Sequence, residues 1–136
     1  MSAEQELEDL LRATLPARDL HGVSVEEIGD DSVRLRFPFD RSLIGPGDIF
    51  SGPALLSFAD TAIYAAIQAR IGRAGLALVS TLNVSFLRPA AAADTLCLAR
   101  VLRLGKRSAH AEAWLFSHIP AEPIVHATAN CVIKPI

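Results

Sequence analysis

Asp60 is the residue whose setting most invites chemistry. It lies in segment 53–71, where nearly everything else is Ala, Leu, Ile or Phe. A carboxylate in such company is costly to desolvate unless something uses it or satisfies it. It can activate a water as a general base or attack an electrophile directly, and the sequence leaves both roles open. A purely structural carboxylate, satisfied by a neighbouring helix start or an arginine, is the bland alternative. Just upstream runs Gly45-Pro46-Gly47-Asp48-Ile49-Phe50-Ser51-Gly52-Pro53. This loop halts the chain, and a helix is expected to start at its end. Pro53 suits the first helical position, where a missing N–H costs nothing. Gly52 places a backbone N–H at a helix N-terminus, where early donors lack intrahelical partners and the dipole favours negative charge. Lacking a side chain, it also lets a ligand come close.

Ser57, Thr61 and Tyr64 fall within about a turn of Asp60, and on a helix they share its face. They are candidates for orienting the carboxylate or its water, with ordinary helix packing as the alternative. Gly52 and Asp60 are further apart. Their separation in sequence corresponds to about 12 Å along one helix axis, too far for both to reach a single reacting atom. If the two cooperate, Gly52 of one copy must face Asp60 of another.

The rest of the chain must position these groups. Residues 2–15 read as a short amphipathic helix with Leu7, Leu10, Leu11 and Leu15 on one face and a Ser2/Gln5 capping box. Residues 23–28 and 32–38 read as strands; in the second, Val33, Leu35 and Phe37 alternate with Ser32, Arg34 and Arg36. The central helix is expected over 52–71, ended by Gly72 and Gly75. Four strand-like runs follow, at 79–86, 95–104, 107–117 and 122–133, separated by short turns that suggest an antiparallel meander. Such a sheet has one apolar face, and the long apolar helix is its obvious cover. Residues 1–136 therefore read as one α+β domain, with 1–16 as a flanking helix.

Composition narrows the function classes. Of the 136 residues, 51% are hydrophobic and 21% charged, and the formal net charge is −2, so the chain reads as globular with no global pull toward nucleic acid. The acidic N-terminus does not resemble a targeting peptide, and the charges and polar groups in 53–71 argue against a membrane span. The expected location is the cytoplasm. Cys97 and Cys131 sit in apolar strand-like runs without CxxC spacing, and are expected buried and reduced. His21, His110, His118 and His126 show no ligand spacing, so no metal site is expected.

The layout resembles the hotdog fold, a curved antiparallel sheet wrapped round a long helix. Residues 48–62, DIFSGPALLSFADTA, resemble the helix start of acyl-CoA thioesterases of the phenylacetate-pathway (PaaI-like) type. That family usually carries His-Gly-Gly there and an acid eight residues after the first Gly; Gly52 and Asp60 keep the spacing. Residues 81–90, TLNVSFLRPA, resemble the family's first strand after the helix, and Gly105-Lys106-Arg107 its later Gly-Arg turn. Ser51 stands in the His position and Pro53 in that of the second Gly. The resemblance, which covers roughly residues 20–134, implies hydrolysis of a small or medium acyl-CoA thioester. Asp60 would be base or nucleophile, and the Gly52 N–H the oxyanion donor. With Ser57, Thr61 and Tyr64 from the helix face, and Asn83 from its alternation with core residues on the strand, the expected substrate-binding set adds Ser51, Arg88, Lys106 and Arg107; the resemblance implies that the cations meet coenzyme A phosphates. It also implies a homodimer, paired into a homotetramer, and no cofactor beyond the coenzyme A of the substrate. The alternative is a non-catalytic acyl-CoA-binding hotdog protein, which the replacements at 51 and 53 would permit. A dehydratase ranks last, because this helix start offers no His to pair with the acid.

Overall fold

The computed structural model describes residues 1–117, 119 and 121–136, so His118 and the centre of the turn expected at 119–121 lie outside the described residues. Helix α1 spans Ala3–Thr14 and opens on the expected capping box: Gln5 N donates to Ser2 Oγ at 3.2 Å and Ser2 N to Gln5 Oε1 at 3.2 Å. Its buried face is Leu7, Leu10 and Leu11. A one-turn helix α2, Ala17–Leu20, follows Pro16 and has no counterpart in the sequence reading. Strands β1 (Ser24–Ile28) and β2 (Ser32–Phe37) come next, then the central helix α3 (Gly52–Ile71). Four strands complete the chain: β3 (Gly75–Phe86), β4 (Thr95–Leu104), β5 (Ser108–Phe116) and β6 (Val125–Pro135).

The six strands form one antiparallel sheet in the order β1-β2-β4-β5-β6-β3. This corrects the simple meander. Strands β4, β5 and β6 are consecutive neighbours, but β3 lies at the far edge beside β6, because β4 is already flanked by β2 and β5. The segment after β3 carries the chain back across the end of the sheet. Leu87 N donates to Ile124 O at 2.8 Å at one side, and Asp94 accepts from Phe39 N at 2.7 Å and from Arg36 Nη1 at 3.2 Å at the other.

Helix α3 packs on the inner face of this sheet. That face is rich in alanine, with Ala109, Ala111 and Ala113 on β5 and Ala127 and Ala129 on β6 all buried. Small side chains let the helix sit close, and α3 answers with Ala59, Ala62, Ala65 and Ala66. Bulk is concentrated at its start, where Phe58 stacks on Phe37 at 4.4 Å and meets Phe50 edge-on at 5.8 Å. At its end, buried Gln68 ties the helix to β3: Nε2 donates to Gly72 O at 3.0 Å and Gly75 O at 3.2 Å, and Oε1 accepts from Ala77 N at 2.7 Å. These contacts fix the position of edge strand β3 beside the face of α3 that carries Asp60.

Candidate active site

Asp60 opens on a cavity of about 580 Å³ bounded by α3, the start of β3 and the α1–α2 segment. Its walls are largely apolar, with Leu15, Leu56, Leu76, Leu78 and Leu82 among them. In the single chain the carboxylate is exposed, not buried as an acid in an apolar run suggests, because it looks outward into this cavity. The walls still strip enough water to push its pKa above the usual aspartate range, and the nearby negative charge of Asp19 adds to the rise. Among the described residues Asp60 has neither a hydrogen-bond nor an ion-pair partner. Among the described residues no helix start or arginine satisfies this carboxylate.

Ser57, Thr61 and Tyr64 line the same cavity. Each is tied to a different part of the N-terminal segment. Ser57 Oγ lies 2.9 Å from His21 Nε2 in a hydrogen bond whose direction follows the histidine tautomer. The Thr61 hydroxyl donates to Asp19 O at 3.2 Å, and the Tyr64 hydroxyl to Thr14 Oγ1 at 2.8 Å. Helix α3 thus holds α1 and α2 over the cavity by three side-chain bonds.

His21, Asp19 and Thr14 are the site neighbours that sequence reasoning missed. The sequence marks His21 only as a histidine without metal-ligand spacing. It stands in the left-handed region at φ 50°, packs edge-on against Phe58 at 5.2 Å and reaches Ser57. A histidine followed by Gly22 at the end of a short polar run is the available signal, and it is weak. His126 lies elsewhere: its Nε2 is 2.9 Å from Glu112 Oε1, and its ring stacks on Trp114.

Gly52 is the first residue of α3 and lies apart from the Asp60 cavity, in a second hollow of about 330 Å³ with Phe86 and Arg88. Most of the usual donors of this helix start are occupied or missing. Ser51 is the N-cap, and its hydroxyl accepts from Ala54 N at 3.2 Å. Ser51 N donates to Leu43 O, Leu55 N to Ser51 O, and Pro53 has no N–H. The Gly52 N–H has no partner among the described residues. The first turn therefore presents one free donor, at the residue where the approach is open: a side chain there would meet nothing closer than Phe86 Cζ at 3.8 Å.

Of the remaining expected substrate-binding residues, Asn83, Lys106 and Arg107 line neither cavity. Asn83 is exposed on β3. Lys106 and Arg107 are exposed in the turn between β4 and β5 and make no ion pair among the described residues. Arg88 reaches the Gly52 hollow, with its guanidinium donating to Pro123 O at 2.8 Å. Both cysteines are buried and free. The described residues hold no cluster of His, Cys, Asp and Glu able to take a metal ion, and no described helix is long and apolar enough to cross a membrane.

An antiparallel sheet wrapped round one long helix, with an acid facing a cavity beside the edge strand, defines a hotdog fold of the thioesterase type. Residues 47–122 match the family described as the Thioesterase superfamily, and the chain belongs to that family. A Halobacterium salinarum protein, named as a proposed esterase, is 39% identical over 97 residues. That match covers 67% of this chain and 63% of the relative, so the chain spans just under two thirds of the relative's length. Among solved structures, a proposed thioesterase from Silicibacter sp. TM1040 is 27% identical with a TM-score of 0.85, over 97% of this chain and 92% of that one. A proposed thioesterase from Ralstonia eutropha, described as related to phenylacetic acid degradation, shares the fold at a TM-score of 0.80 and 21% identity, over 93% of this chain and 98% of that one.

Proposed function

We propose that the protein hydrolyses a small or medium acyl-CoA thioester to the free acid and coenzyme A. The observation that carries this reading is Asp60: an aspartate without a partner among the described residues, facing an apolar-walled cavity, in a chain of thioesterase family membership. In the proposed reaction the acyl group lies against the leucines of the cavity. Asp60 then takes a proton from a water that attacks the thioester carbonyl, or attacks it directly to form a mixed anhydride that a water afterwards opens to the free acid and Asp60. The charge that develops on the carbonyl oxygen is met by a Gly52 N–H. The coenzyme A thiolate departs, and exposed cations such as Arg88, Lys106 and Arg107 hold its phosphates.

Gly52 and Asp60 of one chain open on different cavities, so the reaction calls for a second copy. Strand β3 supports a particular pairing. It is an edge strand whose outer backbone groups lack a strand partner among the described residues, and Leu78 and Phe86 are exposed on it. Its start, at Leu76, lies beside Asp60, and its end, at Phe86, lies beside Gly52. If two β3 strands join antiparallel about a two-fold axis, each Phe86 end meets the other's Leu76 end. Gly52 of the partner subunit then comes to the Asp60 cavity, and each dimer has two composite sites. A homotetramer of two such dimers, acting in the cytoplasm without metal or redox cofactor, completes the proposal.

The sparse donors at 51–53 favour a second reading, a hotdog protein that binds acyl-CoA without turning it over. One assay separates the two. The protein and Asp60→Asn are each given a panel of acyl-CoA thioesters while free thiol is measured. Release that disappears in the variant supports the enzyme; release that survives it removes Asp60 from the mechanism. Tight binding with no release across the panel favours the binding protein.

A further inference from the structure

Resting on the thioesterase reading, we infer that the Asp60 cavity sorts acyl groups by charge, taking neutral chains and turning away those that end in a carboxylate, and that Asp19 sets this selectivity. The described lining of the cavity includes two carboxylates, Asp19 and Asp60, and no Lys, Arg or His. Among the described residues Asp19 pairs with Arg18, 3.9 Å away with a side chain 86% exposed, which does not line the cavity. A carboxylate entering here adds a third negative charge beside Asp19 and Asp60, and the apolar walls keep part of the screening water away.

Hydrogen bonding does not offset that charge. An incoming carboxylate needs donors, and most of the lining hydroxyls have already spent theirs. Tyr64 donates to Thr14, Thr14 to Leu10 O at 2.8 Å, and Thr61 to Asp19 O. Ser57 is engaged with His21. Within one chain the described lining thus offers an anionic chain end no counter-charge and few free hydroxyl donors, whereas an alkyl or neutral aryl chain meets the leucines and asks for no donor.

Asp19 is the position to vary, because Asp60 is needed for the reaction itself. Thr61 bonds the Asp19 main-chain carbonyl, so Asp19→Asn leaves that contact in place. The test compares hexanoyl-CoA with adipoyl-CoA, chains of equal length that differ in a terminal carboxylate. Thiol release gives kcat/KM for each, on the natural protein and on Asp19→Asn. Calorimetry in parallel measures the affinity of their unhydrolysable thioether analogues, hexyl-CoA and carboxypentyl-CoA. Hexanoyl-CoA is expected to be preferred by about tenfold or more, and Asp19→Asn to shrink that ratio by about fivefold. The analogue affinities should show the same preference and the same loss. Equal use of the two thioesters, or a ratio unmoved by Asp19→Asn, overturns the inference. If neither thioester is hydrolysed, the panel assay above decides the thioesterase reading and the analogue affinities decide this one: a preference that Asp19→Asn reduces supports charge sorting, and no preference refutes it.

Discussion

Replacing Gln68 by Leu tests how firmly α3 holds the wall of the Asp60 cavity. The side chain is 1% exposed, and all its polar capacity is directed at the start of β3 and the end of α3. Leucine fills nearly the same volume, so the cavity cost of the exchange is small. The hydrogen-bond cost is not. The Ala77 N–H loses its acceptor in a buried place, which costs about 1–3 kcal/mol, and the carbonyls of Gly72 and Gly75 each lose a donor. A total of about 3 kcal/mol follows. For a chain of 136 residues, the unfolding entropy is about 0.3 kcal/mol per kelvin, so the loss lowers Tm by roughly 10 °C. Thermal unfolding followed by circular dichroism reads this directly. Leu76, Ala77 and Leu78 belong to the cavity wall, so the KM for a thioester should rise as well. A Tm within about 2 °C of the natural protein would show that Gln68 is not the tie between helix and sheet edge.

Asp60→Asn should be more stable than the natural protein at neutral pH. Folding raises the Asp60 pKa, so its ionisation works against the folded state; the penalty is absent below the ordinary aspartate value and complete once pH passes the raised one. Melting curves across pH should therefore diverge from weakly acidic conditions upward and coincide in strong acid; curves that coincide throughout would contradict the shift. Burial pushes Cys97 well up and Cys131 to about 11, so neither thiol should react with a disulfide reagent near pH 8 until the protein is unfolded. Rapid labelling of either in the native protein would contradict the packing. Tyr64→Phe removes the bond to Thr14 and should cost about 1 kcal/mol, or about 3 °C in Tm; an unchanged Tm would mean that this bond does not hold α1 in place.

The sequence carried the fold further than the site. Gly/Pro punctuation followed by an unbroken apolar run marks α3, and the alternation around Val33, Leu35 and Phe37 marks an inward strand face because burial on a pleated sheet repeats every second residue. Strand order was not legible. An edge strand and a central strand share the same alternation, so nothing in 79–86 says that β3 leaves its successor and crosses to β6. The site was legible where it is local. Ser57, Asp60, Thr61 and Tyr64 share a cavity because helical spacing puts them on one face. Their partners His21, Asp19 and Thr14 lie tens of residues away, and contact at that range leaves no periodic trace. Asn83 came from strand alternation, and Lys106 and Arg107 from resemblance; in the single chain all three are exposed and line neither cavity.

The central claim is a site shared between Asp60 of one subunit and Gly52 of the other. Asp60→Asn removes one half. Gly52→Pro removes the other, since it deletes the free N–H at a first helical position, where proline is tolerated. Each variant alone should be inactive. Mixed in equal amounts and allowed to exchange subunits, they should form dimers of which half are mixed, each with one whole site. Recovery of about a quarter of natural thioesterase activity is the predicted result. No recovery, with subunit exchange verified by mass spectrometry, would contradict a site built across two chains.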